Sequence, residues 1–188
     1  VTLEPCAHHG RTPPCADALV RAGLGRVVVA VSDPFPKVAG AGLALLRDAG
    51  VRVDVFDARD ALALRARELN IGFFSRFERQ RPWVRLKVAM SLDGRTALAN
   101  GVSQWITGEE ARKDTHAWRR RASAVLTGIG TVLADRPRMD VRWVETAKQP
   151  LRLILDSSLR TPADAPMLRA PGRCLIATTA AARTDHAA

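Results

Sequence analysis

The segment TLEPCAHHGRTPPC, residues 2–15, brings two thiols and two imidazoles into one short stretch. Eight residues separate Cys6 from Cys15, and His8 and His9 lie between them. Thiolate and imidazole are preferred zinc ligands, and a catalytic zinc site uses three protein ligands and leaves the fourth place to water. Two thiolates would cancel the formal charge of the cation. Cys15 follows Pro13-Pro14 at the start of a predicted helix, where the helix dipole lowers a thiol's pKa. The two prolines stiffen the loop and reduce the entropy lost in presenting both sulfurs. A metal held this way can activate water for attack on an amidine carbon of a ring base, with a Glu to move protons, which is zinc deaminase chemistry. The common deaminase signature has two residues between its cysteines. Spacing alone therefore leaves open the alternative of two unrelated buried cysteines.

The elements that must position these groups follow from periodicity. Val1–Leu3 reads as a strand end, and a helix is expected over about Cys15–Ala22, ended by Gly23 and Gly25. RVVVAVSD (26–33) is a continuous β-branched run, the mark of a buried parallel strand. A loop over 34–42, a helix near 43–49, a strand over 51–56 and a long helix over 61–77 follow. The polar stretch ERQRP (78–82) separates two domains, 1–79 and 82–188. The second domain is expected to open with a strand over 83–91 and a turn at Asp93-Gly94. A helix over 109–121, a strand over 124–127, a short helix from Gly128–Thr131, and strands over 151–157 and 174–178 complete it. The Ala-rich end reads as frayed. Strands alternating with helices imply parallel sheets.

The chain carries a net charge of +10, mostly from Arg, spread along 188 residues rather than gathered in one tail. That is either a solvated surface or a set of contacts to an anionic partner. The scatter favours phosphorylated small molecules over nucleic acid. No apolar run approaches the roughly 20 residues that span a bilayer. Cys6, Cys15 and Cys174 are an odd set, which argues against a disulfide scaffold and for a reducing cytoplasm.

The whole string TLEPCAHHGRTPPC closely resembles the zinc loop of the bifunctional pyrimidine deaminase/reductase family of riboflavin biosynthesis, in which the longer cysteine spacing is the rule. The resemblance continues through Asp33–Gly42, NIGFF (70–74), LKVAMSLDGRTA (86–97), SQWIT (103–107) and TVLADRP (131–137). It implies the C-terminal part of a cytidine-deaminase-like three-layer αβα domain, followed by the N-terminal part of a dihydrofolate-reductase-like α/β domain. It also implies zinc-dependent hydrolytic deamination of 2,5-diamino-6-(5-phosphoribosylamino)pyrimidin-4-one. NADPH-dependent reduction of the ribosyl side chain to ribityl follows.

By the same resemblance Cys6 and Cys15 are zinc ligands. The third ligand, a His, and the proton-shuttling Glu lie upstream of Val1 in the family pattern. His8 faces substrate or orients the loop, and Glu4 belongs to the loop rather than to the shuttle. In the second domain the resemblance implies NADPH contacts at Ala89, Trp105, Thr131, Asp135 and Ser157. Substrate contacts fall at Ser103, Arg119, Met139 and Arg142. Lys87 faces the reductase site, the alternative being a side chain that snorkels out of the sheet. Read this way the chain is a central fragment, cut at both ends relative to the pattern, with neither activity alone. No nucleic acid or membrane partner is expected, and a homo-oligomer is left open. The rival readings are a nucleic-acid deaminase, a zinc-dependent binding module, and a folded but catalytically dead interaction module.

Overall fold

Two parallel sheets organise the computed structural model, which describes residues 1–182. They belong to separate units, Val1–Arg85 and Leu86–Ala188. The expectation of a frayed Ala-rich end lies, from residue 183, outside the described residues.

In the first unit, β1 (Arg26–Val29) and β2 (Arg52–Val55) pair in parallel, with Val27 opposite Val53 and Val29 opposite Val55. Residues 1–4 run along the other side of β1. The Val1 ammonium donates to the Val28 carbonyl, Ala30 N–H to Val1, and Glu4 N–H to Val31. Helices α1 (Cys15–Arg21) and α2 (Ala41–Asp48) cover this sheet. Ala16, Val27, Val29, Leu43, Leu46 and Val51 form the core. Ala16, one residue after Cys15, is fully buried, so core packing fixes the helix that carries the second thiol.

The long helix expected over 61–77 is two helices, α3 (Ala61–Leu69) and α4 (Ile71–Arg79). Asn70 breaks it with φ −110° and ψ 20°. Its side-chain amide donates to the Ala66 carbonyl, and its own carbonyl accepts from Phe73 and Phe74. An Asn that satisfies backbone groups locally offers an alternative to the continuous ladder.

The second unit carries α5 (Glu109–Arg121), β3 (Ala124–Gly128), α6 (Ile129–Asp135), β4 (Leu151–Leu155), α7 (Pro166–Arg169) and β5 (Cys174–Ala177). The strands pair in parallel in the order β3-β4-β5, with Leu126 opposite Leu153 and Leu153 opposite Leu175. Val132, Ile154, Ala165 and Met167 form the core beneath one face, with Met139 packed against them. Arg152 shares that face and is fully buried. Its guanidinium donates to the carbonyls of Ala170, Pro171 and Gly172 at 2.8, 2.8 and 2.9 Å. Those three bonds offset the cost of a charge in the core.

The strand expected over 83–91 does not form. The segment has no ladder partner among the described residues, and Leu86 and Leu92 are almost fully exposed. β-structure needs a neighbouring strand to take up its backbone groups, whatever the side-chain pattern. The turn that follows does form: Gly94 N–H donates to Ser91, and Ser91 N–H to Arg95.

The first unit depends on one buried side chain. The Glu4 carboxylate accepts from the amides of Asp33, Gly40, Gly42 and Leu43, at 2.9–3.4 Å. Glu4→Gln keeps the volume but turns one acceptor into a donor that faces donors. A loss of roughly 2–3 kcal/mol is expected from the charged hydrogen bonds, read as a lower denaturant midpoint. An unchanged midpoint would contradict this reading of Glu4.

Candidate functional site

The cysteine loop is built outward from Glu4. That carboxylate caps α2, whose N-cap Gly40 provides no side chain: Gly42 and Leu43, in the first turn, donate to a residue 38 or 39 positions away. A negative charge at this end is also favoured by the helix dipole. Gly40 sits at φ 93°, a conformation that favours glycine. At Gly42 a Cβ would lie 1.7 Å from the Pro5 carbonyl oxygen, so only glycine lets the helix approach the loop. The glycines of VAGAG therefore serve the cysteine loop, one by conformation and one by closeness.

Pro5 leads directly to Cys6, which is tied to α1 twice. Its carbonyl accepts from Ala16 N–H at 3.1 Å, and its Sγ accepts from Cys15 N–H at 3.3 Å. Pro14 is the N-cap of α1, which starts at Cys15 as expected. Both thiols are free. The helix-start argument predicts a lowered thiol pKa at Cys15, but the structure shows the reverse. The side-chain hydrogen bond with Cys6 and then burial push the Cys15 thiol up. The pair fits as two soft ligands for one ion. Among the described residues no group of three or more His, Cys, Asp and Glu is placed to hold a metal.

His8 packs edge-on against Phe35, with ring centroids 5.7 Å apart, and its Nδ1 is buried without a hydrogen-bond partner. Asp33, also buried, accepts from Phe35 N–H at 2.7 Å, and burial raises its pKa. Glu4 itself is fully engaged with backbone amides, which agrees with a structural part in the loop.

In the second unit two of the four residues expected to contact substrate, Arg119 and Arg142, converge. Arg119 lies on α5 and Arg142 on the loop after α6, and both meet Asp140. Arg119 donates to the Asp140 carbonyl at 3.3 Å, and Arg142 to its Oδ1 at 2.9 Å. Arg138 takes Oδ2 at 2.7 Å. Asp140 is buried. Burial alone would raise its pKa, but the hydrogen bonds and charges of Arg138 and Arg142 win and hold it low. Burial, then Arg142, push the Arg119 guanidinium down from its usual value.

Side chains fix the backbone of this loop. Gln149 clasps Val141 on both sides, accepting from its N–H and donating to its carbonyl, each at 2.8 Å. His116 Nδ1 accepts from Arg142 N–H at 3.3 Å, and the His116 ring stacks on Trp143 at 5.2 Å and 26°. Arg112 lies 4.4 Å over Trp105 and 5.8 Å over Trp143. Trp105, largely exposed, is thereby joined to the arginine pair through a ladder of flat groups.

Of the remaining expected contacts, Met139 adjoins Asp140 in the chain and the others lie on other segments. Thr131 and Asp135 are exposed on α6, and Ser157 follows β4 at the C-terminal edge of the sheet. Ligands of open α/β sheets bind at that edge. A Cβ at Gly128 or Gly130 would meet nothing within 4 Å, so the edge there is open. Met139, at φ 57°, packs into the core beneath. Ser103 and Ala89 are half-buried, and Lys87 is exposed on segment 83–91, which joins no sheet among the described residues. Lys87 is thus not a charge inside a core strand, because that strand does not form. Sequence reasoning missed Arg112, His116, Asp140, Trp143 and Gln149. One signal was available: His116 lies three residues before Arg119, on the same helix face.

No helix among the described residues is long and apolar enough to cross a membrane. Residues 82–188 match the RibD C-terminal domain family. The riboflavin biosynthesis protein RibD of Aquifex aeolicus is 51% identical over 168 residues, 89% of this chain and 46% of that protein. RibD of Escherichia coli is 44% identical over 191 residues, 95% of this chain and 51% of that protein. Among solved structures, Acinetobacter baumannii RibD aligns with a TM-score of 0.83 at 46% identity, covering 94% of this chain and 50% of that one. A diaminohydroxyphosphoribosylaminopyrimidine deaminase/5-amino-6-(5-phosphoribosylamino)uracil reductase from Thermotoga maritima aligns with a TM-score of 0.85 at 36% identity, over 96% of this chain and 50% of that one. The chain spans about half the length of the curated relatives it matches. The mixed α/β fold with parallel sheets, expected from the sequence, is shared with these structures.

The cluster predicts a pH signature. Burial first, then Arg119 and Arg142, lower the His116 pKa from 6.5 to about 4. The unfolded chain takes up this proton first as pH falls, so the His116 contribution is complete above about 6.5 and is lost towards pH 4. Asp140, whose carboxyl is depressed, loses its contribution only at still lower pH. Thermal midpoints of the unsubstituted protein and His116→Asn should therefore converge between about pH 7 and pH 4.5. A constant difference across that range would contradict the buried neutral imidazole.

Proposed function

This chain belongs to the RibD C-terminal domain family, and from that premise we propose that it acts in riboflavin biosynthesis as part of a bifunctional deaminase and reductase. Residues 1–79 are the deaminase part and residues 82–188 the reductase part. The substrates are phosphorylated pyrimidines rather than nucleic acid, and the setting is a reducing cytoplasm that keeps the cysteines free.

The observation that carries the reductase reading is the convergence of Arg119 and Arg142 on Asp140, although the two lie on different elements. Guanidinium groups are well matched to phosphate oxygens. Here Arg142 holds the buried Asp140 carboxylate and Arg119 the Asp140 carbonyl, and Arg119 bears the cost of burial as well. An anionic sugar phosphate would relieve that cost by adding charge and acceptors. Thr131, Asp135 and Ser157 line the open C-terminal edge where the cofactor would lie, and the exposed Trp105 ring would be a further cofactor contact. When bound, NADPH supplies the hydride that reduces the ribosyl carbon to the ribityl chain. The protein's share of that step is to hold the phosphate, orient the sugar and exclude competing geometries.

In the deaminase part Cys6 and Cys15 would hold zinc, which when bound supplies Lewis acidity to a water. The family resemblance puts the third ligand and the proton-shuttling Glu outside these 188 residues. His8, with its unpartnered Nδ1, would meet a polar group of the pyrimidine. A polypeptide of only these residues is expected to turn over neither substrate.

Two measurements test these assignments in the full-length protein. Arg142→Ala should raise the KM for the phosphorylated reductase substrate at least about 10-fold, with a smaller effect on kcat, as removal of a binding group does. An unchanged KM would remove Arg142 from the substrate site. Cys15→Ser should lower the zinc content of the purified protein and abolish deamination while reduction persists. Full zinc occupancy in that variant would show that the metal is held elsewhere.

A further inference from the structure

The geometry points to His116 as a positioning residue: it holds the Arg142 backbone through its unprotonated Nδ1 and so sets where the Arg119–Arg142 pair presents its guanidinium groups. This inference rests on the reading that the pair binds a sugar phosphate.

Three observations support it. His116 is 3% exposed and accepts the Arg142 N–H at 3.3 Å, so the contact is an interior one. Its ring stacks on Trp143, the next residue in the chain, so one side chain fixes two consecutive positions of the loop. It also lies on α5 three residues before Arg119, so the helix that supplies one arginine orients the other. An imidazole suits the place because it accepts without carrying charge. The groups facing it are Arg119, Arg142 and Asp140, and burial with the two arginines keeps it neutral near pH 7. A protonated ring at this position would donate rather than accept, and would add a third positive charge beside the pair. Gln149 fixes Val141, one residue earlier, but makes no bond to Arg142.

The test uses ribose 5-phosphate as probe, titrated calorimetrically into the full-length protein and its variants. His116→Phe keeps the ring and the stack but removes the acceptor. His116→Asn keeps an oxygen close to the position of Nδ1. His116→Phe should weaken binding about 10-fold and His116→Asn by less than about 3-fold. Equal affinities for both variants overturn the proposal, whether both match the parent protein or both are weak, because then the acceptor is not what matters. Arg142→Ala serves as the control. If that variant binds the probe normally, the substrate reading fails independently of His116. The ¹⁵N spectrum of the unsubstituted protein gives a readout that needs no variant to fold. Near neutral pH, Nδ1 should be the unprotonated nitrogen of His116. A proton on Nδ1 would overturn the proposal.

Discussion

A single buried carboxylate in contact with four backbone amides holds the first unit in its functional arrangement. Glu4 lies at the end of the segment that runs beside β1, and it captures the amides at 33, 40, 42 and 43. A buried charge is tolerated only when hydrogen bonds replace its water. Three donors at a helix N-terminus, with the amide of Asp33, meet that condition. The arrangement also leaves little freedom to Pro5 and Cys6, because the Pro5 carbonyl fills the space a Cβ at Gly42 would need. The thiol pair follows from it: Cys6 is set by Glu4 and Pro5, Cys15 by the burial of Ala16, and the two ties from Cys6 to Cys15 and Ala16 close the loop.

The second unit solves a similar problem with different groups. Residues 140–142 form no regular structure, yet each is satisfied by a side chain or offers its carbonyl to one. Arg119 takes the carbonyl of Asp140, Gln149 takes both groups of Val141, and His116 takes the amide of Arg142. Buried backbone groups outside a ladder need such partners. The result is a rigid loop that carries arginines, in which positive charge is concentrated but held by Asp140. A rigid site loses less entropy on binding than a mobile one.

Periodicity made the strands and most helices legible. Val27 and Val29 alternate as a buried strand should, and Ile154 marks the core face of β4. The break at Asn70 was not visible, because the apolar pattern continues across it and only the local bonds of its side chain end α3. The segment 83–91 has a convincing strand pattern, yet pairing depends on a neighbour that pattern alone does not reveal. The motif TLEPCAHHGRTPPC marked the cysteines, and the resemblance marked the arginines. Neither disclosed that Glu4 is the anchor, since tertiary capping links positions far apart in the chain. Asp140 and Gln149 were likewise hidden, because the bonds they make in the folded loop leave no signature in spacing, and His116 showed only its helical spacing to Arg119.

The central claim is that the Glu4-anchored loop presents Cys6 and Cys15 together as half of a metal site. X-ray absorption at the zinc edge of the zinc-loaded, full-length protein tests it most directly. The account predicts a first coordination shell with two sulfur scatterers, the remainder being nitrogen or oxygen. A shell of nitrogen and oxygen alone, or of one sulfur, would contradict it.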